Sequence, residues 1–180
     1  MTRFGYVMTT YVSLLAVGGL SLVPVTPRLL WNATASTPVG LYAVRPDGPP
    51  AVGDLVAIRP PEPLAGFLDE GGYLPHGVPL LKRVAALPGQ TVCRTGVTVT
   101  IDGAVVATAH RRDRLGRRLP VWSGCLTLRP DELFLLNRHP DSLDGRYFGP
   151  IPANTVFGHA RPLLTDEAGD GAFQWRAATR

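Results

Sequence analysis

The chain is 180 residues long (19.3 kDa), with 45% hydrophobic and 18% charged residues, a size that allows one domain with a short appendage and a composition that excludes a disordered chain. Its 20 glycines and 18 prolines interrupt it too often for a helix bundle and favour a mainly β domain of short strands closed by turns. The net charge is +4, yet of the 18 basic residues 17 are arginine and one, Lys82, is lysine. The arginine bias by itself says little about function. Its exception is informative, because a guanidinium is always protonated and cannot serve as a base.

In chain order, the first element is apolar. No charge falls between Arg3 and Arg28, and residues 6–23 as a helix would span roughly 27 Å, close to the roughly 30 Å of a bilayer's hydrocarbon. Pro24 and Pro27 end the segment, and Trp31 is expected at the interface beyond it. Residues 1–27 are therefore expected to be an uncleaved transmembrane anchor, although Thr9, Thr10, Ser13, Gly18 and Gly19 weaken the signal. A cleaved leader ending at Ala33-Thr34-Ala35 would put some twelve residues between apolar core and cut, and for a buried core helix the stretch is long as well as apolar all round.

Residues 28–164 form the expected domain. Strands are expected over 41–44, 55–58, 80–86, 97–101, 104–108, 133–136 and 156–160, with a type I′ hairpin at Asp102-Gly103. Residues 59–79 read as a long loop with one helical turn near 64–68, and the polar tail 165–180 as loosely held. Cys93 and Cys125 lie in no metal-ligand spacing, so no metal is expected; outside the cytosol they are candidates for a disulfide, inside it for two buried thiols. The basic run 110–118 accompanies no nucleic-acid-binding module, so it reads as a solvated loop, with anionic lipid headgroups as second choice.

Three polar segments interrupt this pattern. Ser36 lies in Thr34-Ala35-Ser36-Thr37-Pro38-Val39-Gly40-Leu41-Tyr42, where Ser-x-Pro alone is an ordinary turn signature. Strand alternation puts Leu80, Lys82 and Val84 on one face; if that face is inward, desolvation lowers the lysine's pKa as a general base requires, whereas an edge strand would let it snorkel to water. The third segment, residues 137–149, groups Ser142, Asp144 and Arg146 in what is otherwise a well hydrogen-bonded loop.

The order Ser-x-Pro-x-Gly-x-Tyr, Gly53-Asp54-Leu55-Val56, Leu81-Lys82-Arg83-Val84 with Pro88-Gly89, and Asp141-Ser142-x-Asp144-Gly145-Arg146-Tyr147-Phe148-Gly149 resembles the boxes of type I signal peptidases. The variants of the first and last boxes look most like the TraF-type conjugative-transfer signal peptidases. The resemblance implies a signal-peptidase/LexA-like β-rich catalytic domain on an N-terminal transmembrane helix, facing the periplasm from a bacterial inner membrane. It further implies a serine–lysine endopeptidase without cofactor, acting on a pilin or other precursor polypeptide. Ser36 matches the nucleophile, Lys82 the general base and Thr34 an oxyanion-hole hydroxyl. Ser142 matches a serine that orients the lysine, Asp144 the aspartate given a catalytic role in the TraF-type branch, and Arg146 its ion-pair partner. Two departures stand out: Asp-Ser-Arg reads Asp144-Gly145-Arg146, and Ser-Met-x-Pro is shortened to Ser36-Thr37-Pro38.

Rival functions are a general signal peptidase releasing secreted proteins, a Ser/His/Asp hydrolase using His76, His110, His139 or His159, and a non-catalytic anchored domain that binds envelope or pilus proteins. A self-cleaving repressor would need a DNA-binding domain in place of the apolar segment.

Overall fold

The Asp102-Gly103 dipeptide turns as its chemistry dictates, both residues taking positive φ (48° and 83°) and bringing Ile101 opposite Ala104. The computed structural model describes residues 2–21 and 26–177. In chain order the elements are α1 (Arg3–Ser21), β1 (Leu29–Asn32), β2 (Val39–Arg45), β3 (Leu55–Ile58), α2 (Glu62–Glu70), β4 (Leu80–Ala86), β5 (Thr91–Thr95), β6 (Thr98–Ile101), β7 (Ala104–Thr108), β8 (Gly124–Thr127), β9 (Glu132–Leu136), α3 (Gly145–Phe148), β10 (Ile151–Pro152), β11 (Val156–Asp166) and β12 (Gln174–Trp175). The larger, antiparallel sheet runs β1-β2-β11-β3-β4-β9-β10, with β12 pairing β11 at its far end; the smaller runs β7-β6-β5-β8.

Burial explains the apolar run of β3. One cluster packs Tyr42, Val44, Ala57, Leu81 and Ala160, and another packs Val56, Ile58, Val84, Leu133 and Leu135, so β3 is buried on both faces and cannot alternate. A third cluster joins the sheets through Ala86, Val92, Val99, Phe134 and Leu136. The loop expected over 59–79 contains the nine residues of α2. Glu62 and Pro63 suit its first turn, and Leu64, Ala65 and Leu68 bury one side of it.

The chain does not loosen at 165 as expected. β11 continues through Thr165 and Asp166, both buried, because they pair with Gly40 and Val39 of β2. Asp166 then accepts backbone N–H bonds from Gly169, Asp170 and Gly171, and β12 returns along β11.

Gly40 makes that closure possible. Its φ is +147°, and a Cβ there would lie 2.1 Å from the Leu164 carbonyl oxygen, beside the register shift between Pro162 and Leu164. Gly40→Ala is accordingly expected to cost about 2–5 kcal/mol through overpacking and backbone strain. The check is a urea unfolding curve; an unchanged midpoint would mean that β2 and β11 are not held this close.

α1 is helical, as expected, and its Thr9 and Thr10 hydroxyls bond back to the Gly5 and Tyr6 carbonyls. Phe4, Tyr11, Leu14, Leu15 and Val17 are exposed. Among the described residues no helix is long and apolar enough to cross a membrane. The last two residues of the expected span, 22 and 23, and the stop at Pro24 lie outside the described residues. Trp31 stands within β1, paired with Leu41.

Candidate active site

The turn that carries Ser36 joins β1 to β2, and one side chain shapes it. Asn32, the last residue of β1, donates from Nδ2 to the carbonyls of Thr34 (2.8 Å), Thr37 (2.8 Å) and Pro38 (3.1 Å), and its Oδ1 accepts from the Thr34 N–H and hydroxyl. The Tyr42 hydroxyl closes the other end by donating to the Pro38 carbonyl at 2.7 Å. Thr34 Oγ1 lies 3.3 Å from Ser36 Oγ. Since the single Thr34 proton goes to Asn32, Ser36 donates in that pair, and Thr34 must rotate its hydroxyl before it can donate to an oxyanion.

Lys82 is buried, 4% exposed, because β4 is an interior strand flanked by β3 and β9 rather than an edge. Its ammonium donates to Ser142 Oγ at 2.8 Å. Burial is the main cause that lowers its pKa, to about 8; the Asp144 carboxylate opposes this and the Arg146 guanidinium adds to it. Ser36, Lys82 and Ser142 line one cleft of about 520 Å³. Lys82 and Ser36 share that cleft without being hydrogen-bonded to each other: the ammonium meets Ser142 and the serine meets Thr34.

Asp144 and Arg146 do not line this cleft; Asp144 meets Lys82 at a smaller neighbouring one, and Arg146 lies against Asp144. Asp144 caps α3 and accepts from the N–H groups of Asn137 (3.0 Å) and Arg146 (3.2 Å), with Arg146 Nε 3.2 Å from Oδ1. Burial raises its carboxyl above the usual range, opposed by Lys82, Arg146 and the two N–H donors. The Arg146 guanidinium donates to the carbonyls of Asn137, His139 (3.0 Å) and Pro140 (2.7 Å), which fixes the turn that presents Ser142. Gly145 explains the departure from Asp-Ser-Arg: a Cβ would sit 2.7 Å from the Phe134 ring and 2.8 Å from the Leu135 carbonyl oxygen.

Two residues that sequence reasoning passed over join these parts. One is Asn32. The other is buried Asn137, whose Nδ2 donates to Thr37 Oγ1 and the Leu81 carbonyl while its Oδ1 accepts from the Arg83 N–H, each at 3.0 Å. It grips β4 on both sides of Lys82 and holds the residue after Ser36. An asparagine opening a polar loop carries no signal of this, because all three partners are distant in sequence.

The basic run 110–118 is a strapped wall of the cleft rather than a free loop. Asp113 accepts from the Tyr73 hydroxyl and from the N–H groups of Leu115 and Arg117, and the Tyr73 bond chiefly holds its carboxyl down, at about 2. Arg114 pairs with Asp141, next to Ser142. His110 and His139 lie by Asp141, His76 by Glu62 and His159 by Asp54; none of the four hydrogen-bonds Ser36. Cys93 and Cys125 face each other in the β5–β8 register and are joined as a disulfide. Among the described residues no group of three or more His, Cys, Asp or Glu is placed to hold a metal.

The chain is similar to known proteins over most of its length. The family model described as signal peptidase, peptidase S26 matches residues 2–164. A probable conjugal transfer protein TraF from Sinorhizobium fredii is 42% identical over 145 residues, covering 74% of this chain and 76% of that protein. A conjugal transfer protein TraF from Agrobacterium fabrum is 39% identical over 146 residues, 74% of this chain and 81% of its own length. A probable signal peptidase I-1 from Synechocystis is 32% identical over 114 residues, 62% of this chain and 53% of its own. A solved signal peptidase I from Enterococcus faecalis aligns over 62% of this chain and 97% of its own at 23% identity, with a TM-score of 0.38, too loose a likeness to argue from. The match over residues 2–164 and the extent of the TraF relatives lead to one conclusion: this chain belongs to the signal peptidase (peptidase S26) family, as a TraF-type member.

Proposed function

We propose that the chain is a membrane-anchored serine endopeptidase that cuts a pilin precursor for conjugative transfer, with Ser36 as nucleophile and Lys82 as general base. The observation that carries this reading is the buried Lys82 amine, shifted to about 8 and sharing a cleft with Ser36. Neutral Lys82 takes the Ser36 hydroxyl proton as Oγ attacks the substrate carbonyl. The oxyanion is met by the Ser36 N–H and, after rotation, by the Thr34 hydroxyl. Collapse expels the downstream peptide as an amine, protonated by Lys82, and leaves an ester on Ser36. Water resolves the ester to an acid, or the substrate's own N-terminal amine resolves it to a ring. Ser142 orients the lysine, and Asp144 with Arg146 holds the loop beneath it.

α1, with the apolar residues that follow it, is the proposed inner-membrane anchor. The reading is supported by its exposed apolar side chains and by hydroxyls already bonded to its own backbone. The Cys93–Cys125 disulfide supports a catalytic domain in the periplasm, since such bonds persist in oxidising compartments.

Mass spectrometry of a co-expressed candidate pilin tests the function. The expected result is a trimmed product that disappears with Ser36→Ala, and a further loss of one water from the linear mass marks cyclisation. An untrimmed pilin in both strains would contradict pilin processing. The pH profile tests the base: kcat/KM is expected to rise tenfold per pH unit on the acid side and to level off near pH 8, as the ammonium loses its proton. A profile flat from pH 6 to 10 would exclude Lys82 as the base.

A further inference from the structure

The connection from β7 to β8 contains a small hairpin whose shape is fixed by its own bonds. Arg112 and Arg118 face each other as antiparallel partners, the Asp113 N–H donates to the Arg117 carbonyl at 2.9 Å, and the Leu119 N–H donates to the Arg111 carbonyl at 3.2 Å. Gly116 takes the turn at a φ of +78°. Arg117 then ties the hairpin to the segment between α2 and β4, stacking on the Tyr73 ring at 4.3 Å and donating to the Gly71 carbonyl. The hairpin is therefore held as a wall of the Ser36 cleft, with Arg112, Arg114 and Arg117 all in the lining.

The charges on this wall pair off unevenly. Asp113 is answered by Arg117 at 2.6 Å, and Asp141 by Arg114. Arg112 is exposed and makes no ion pair among the described residues; its guanidinium donates to the Gly116 carbonyl of its own hairpin. Lys82 is the other cation without a matching carboxylate in the lining, but it is buried and engaged with Ser142. Arg114 is a reserve, since its side chain is 75% exposed and such pairs exchange readily. Much of the remaining wall is apolar, Leu68, Leu74, Leu80 and Leu143 included, and apolar walls strengthen an ion pair formed beside them. A guanidinium presents a fork of donors that fits a carboxylate. A free inorganic anion would satisfy Arg112 and leave the leucines uncovered, whereas a polypeptide uses both.

We propose that Arg112, backed by Arg114, selects a carboxylate on the polypeptide lying in the Ser36 cleft, either an acidic side chain or the chain's own C-terminus. Arg112 is then a specificity-determining residue: it sets which precursor is held, and Ser36 and Lys82 do the cutting. The proposal deepens the peptidase reading above and rests on it for a polypeptide in the cleft, while requiring no step of the Ser36 chemistry.

The test reads binding without cleavage, using the full Ser36→Ala chain in neutral detergent. The probes are capped decapeptides of alanine and leucine with a neutral fluorophore, carrying one Glu, Gln or Lys at each position in turn, and the Gln set again with a free C-terminal acid. Fluorescence anisotropy gives the affinities. The best Glu peptide, or the best free-acid peptide, is expected to bind about tenfold more tightly than its neutral counterpart. In Arg112→Gln that ratio is expected to fall to about two or less, and in Arg112→Glu the Lys peptide is expected to bind more tightly than the Gln peptide. Arg118→Gln removes the same charge from the same hairpin outside the cleft lining, and is expected to keep the native ratio. A preference for Glu places the recognised carboxylate on a side chain, and a preference for the free acid places it at the chain end; both support the proposal. Equal affinities throughout, no binding of any peptide, a ratio that survives Arg112→Gln, or one lost equally in Arg118→Gln would overturn it. A native chain that trims the pilin, in a protein that binds Glu, Gln and free-acid peptides alike, would keep the peptidase reading and sink this one. Untrimmed pilin alongside an Arg112-dependent preference would do the reverse.

Discussion

Lys82→Met is expected to lose processing by a factor of about 10⁴ or more and yet to unfold at a higher temperature than the native chain at pH 7. The two effects have one cause. Lowering the Lys82 pKa from 10.5 to about 8 means that burial disfavours the ammonium by about 3 kcal/mol. Methionine keeps the length of the stem and removes the charge. The Ser142 hydroxyl loses its donor, at about 1 kcal/mol, leaving a net gain of about 2 kcal/mol, or about 4–8 °C in Tm.

The sign follows from linkage. A lysine whose folded pKa is depressed destabilises the fold in full below pH 8, where both states are protonated, and not at all above 10.5, where neither is. The native chain should therefore gain stability between pH 8 and 10.5 relative to Lys82→Met. Thermal melts at pH 7 and 10.5, with a processing assay, check both halves. Lys82→Arg is expected to be inactive too, because a guanidinium cannot give up its proton. Full activity in either variant would end the serine–lysine assignment, and a Lys82→Met chain less stable than native at pH 7 would contradict the buried ammonium.

Asp144→Asn has the second largest expected effect, and it is chiefly structural. The carboxylate accepts two backbone N–H bonds and faces the buried Arg146 guanidinium. An amide turns a donor toward one of those donors and leaves Arg146 without a counter-ion, at about 3–5 kcal/mol. The same change removes a charge that favours the Lys82 ammonium, so in the fraction that folds the acid limb of the rate profile should move below pH 8. A purely structural role for Asp144 would leave that limb in place. Adding Arg146→Met should recover part of the lost stability. A single variant that melts with the native chain would show that the pair does not hold the loop.

The candidate site is legible in the sequence further than its supports are. Segments 55–58, 80–86 and 104–108 match β3, β4 and β7 because their apolar residues end at clear turn signals. β5 and β8 were not visible. Arg94 breaks the pattern of β5, being buried where its guanidinium can donate to the carbonyls of Gly96, Pro120 and Arg146, and β8 is exposed along its whole length. The start of the tail is not legible because Thr165 and Asp166 look like solvent residues until Gly40 lets β11 close on β2. Ser36, Lys82, Ser142 and Asp144 stood out by their order along the chain, whereas Asn32 and Asn137 act through backbone atoms of other segments and leave no pattern.

With one lysine in the chain, selective ¹³Cε-lysine labelling yields a single side-chain resonance, assigned without mutagenesis. Titrating it by NMR measures the property on which the proposed mechanism rests. The buried-base account predicts a midpoint near 8 that moves on Asp144→Asn. A midpoint at the ordinary value of 10.5 would show a solvated ammonium and contradict the account.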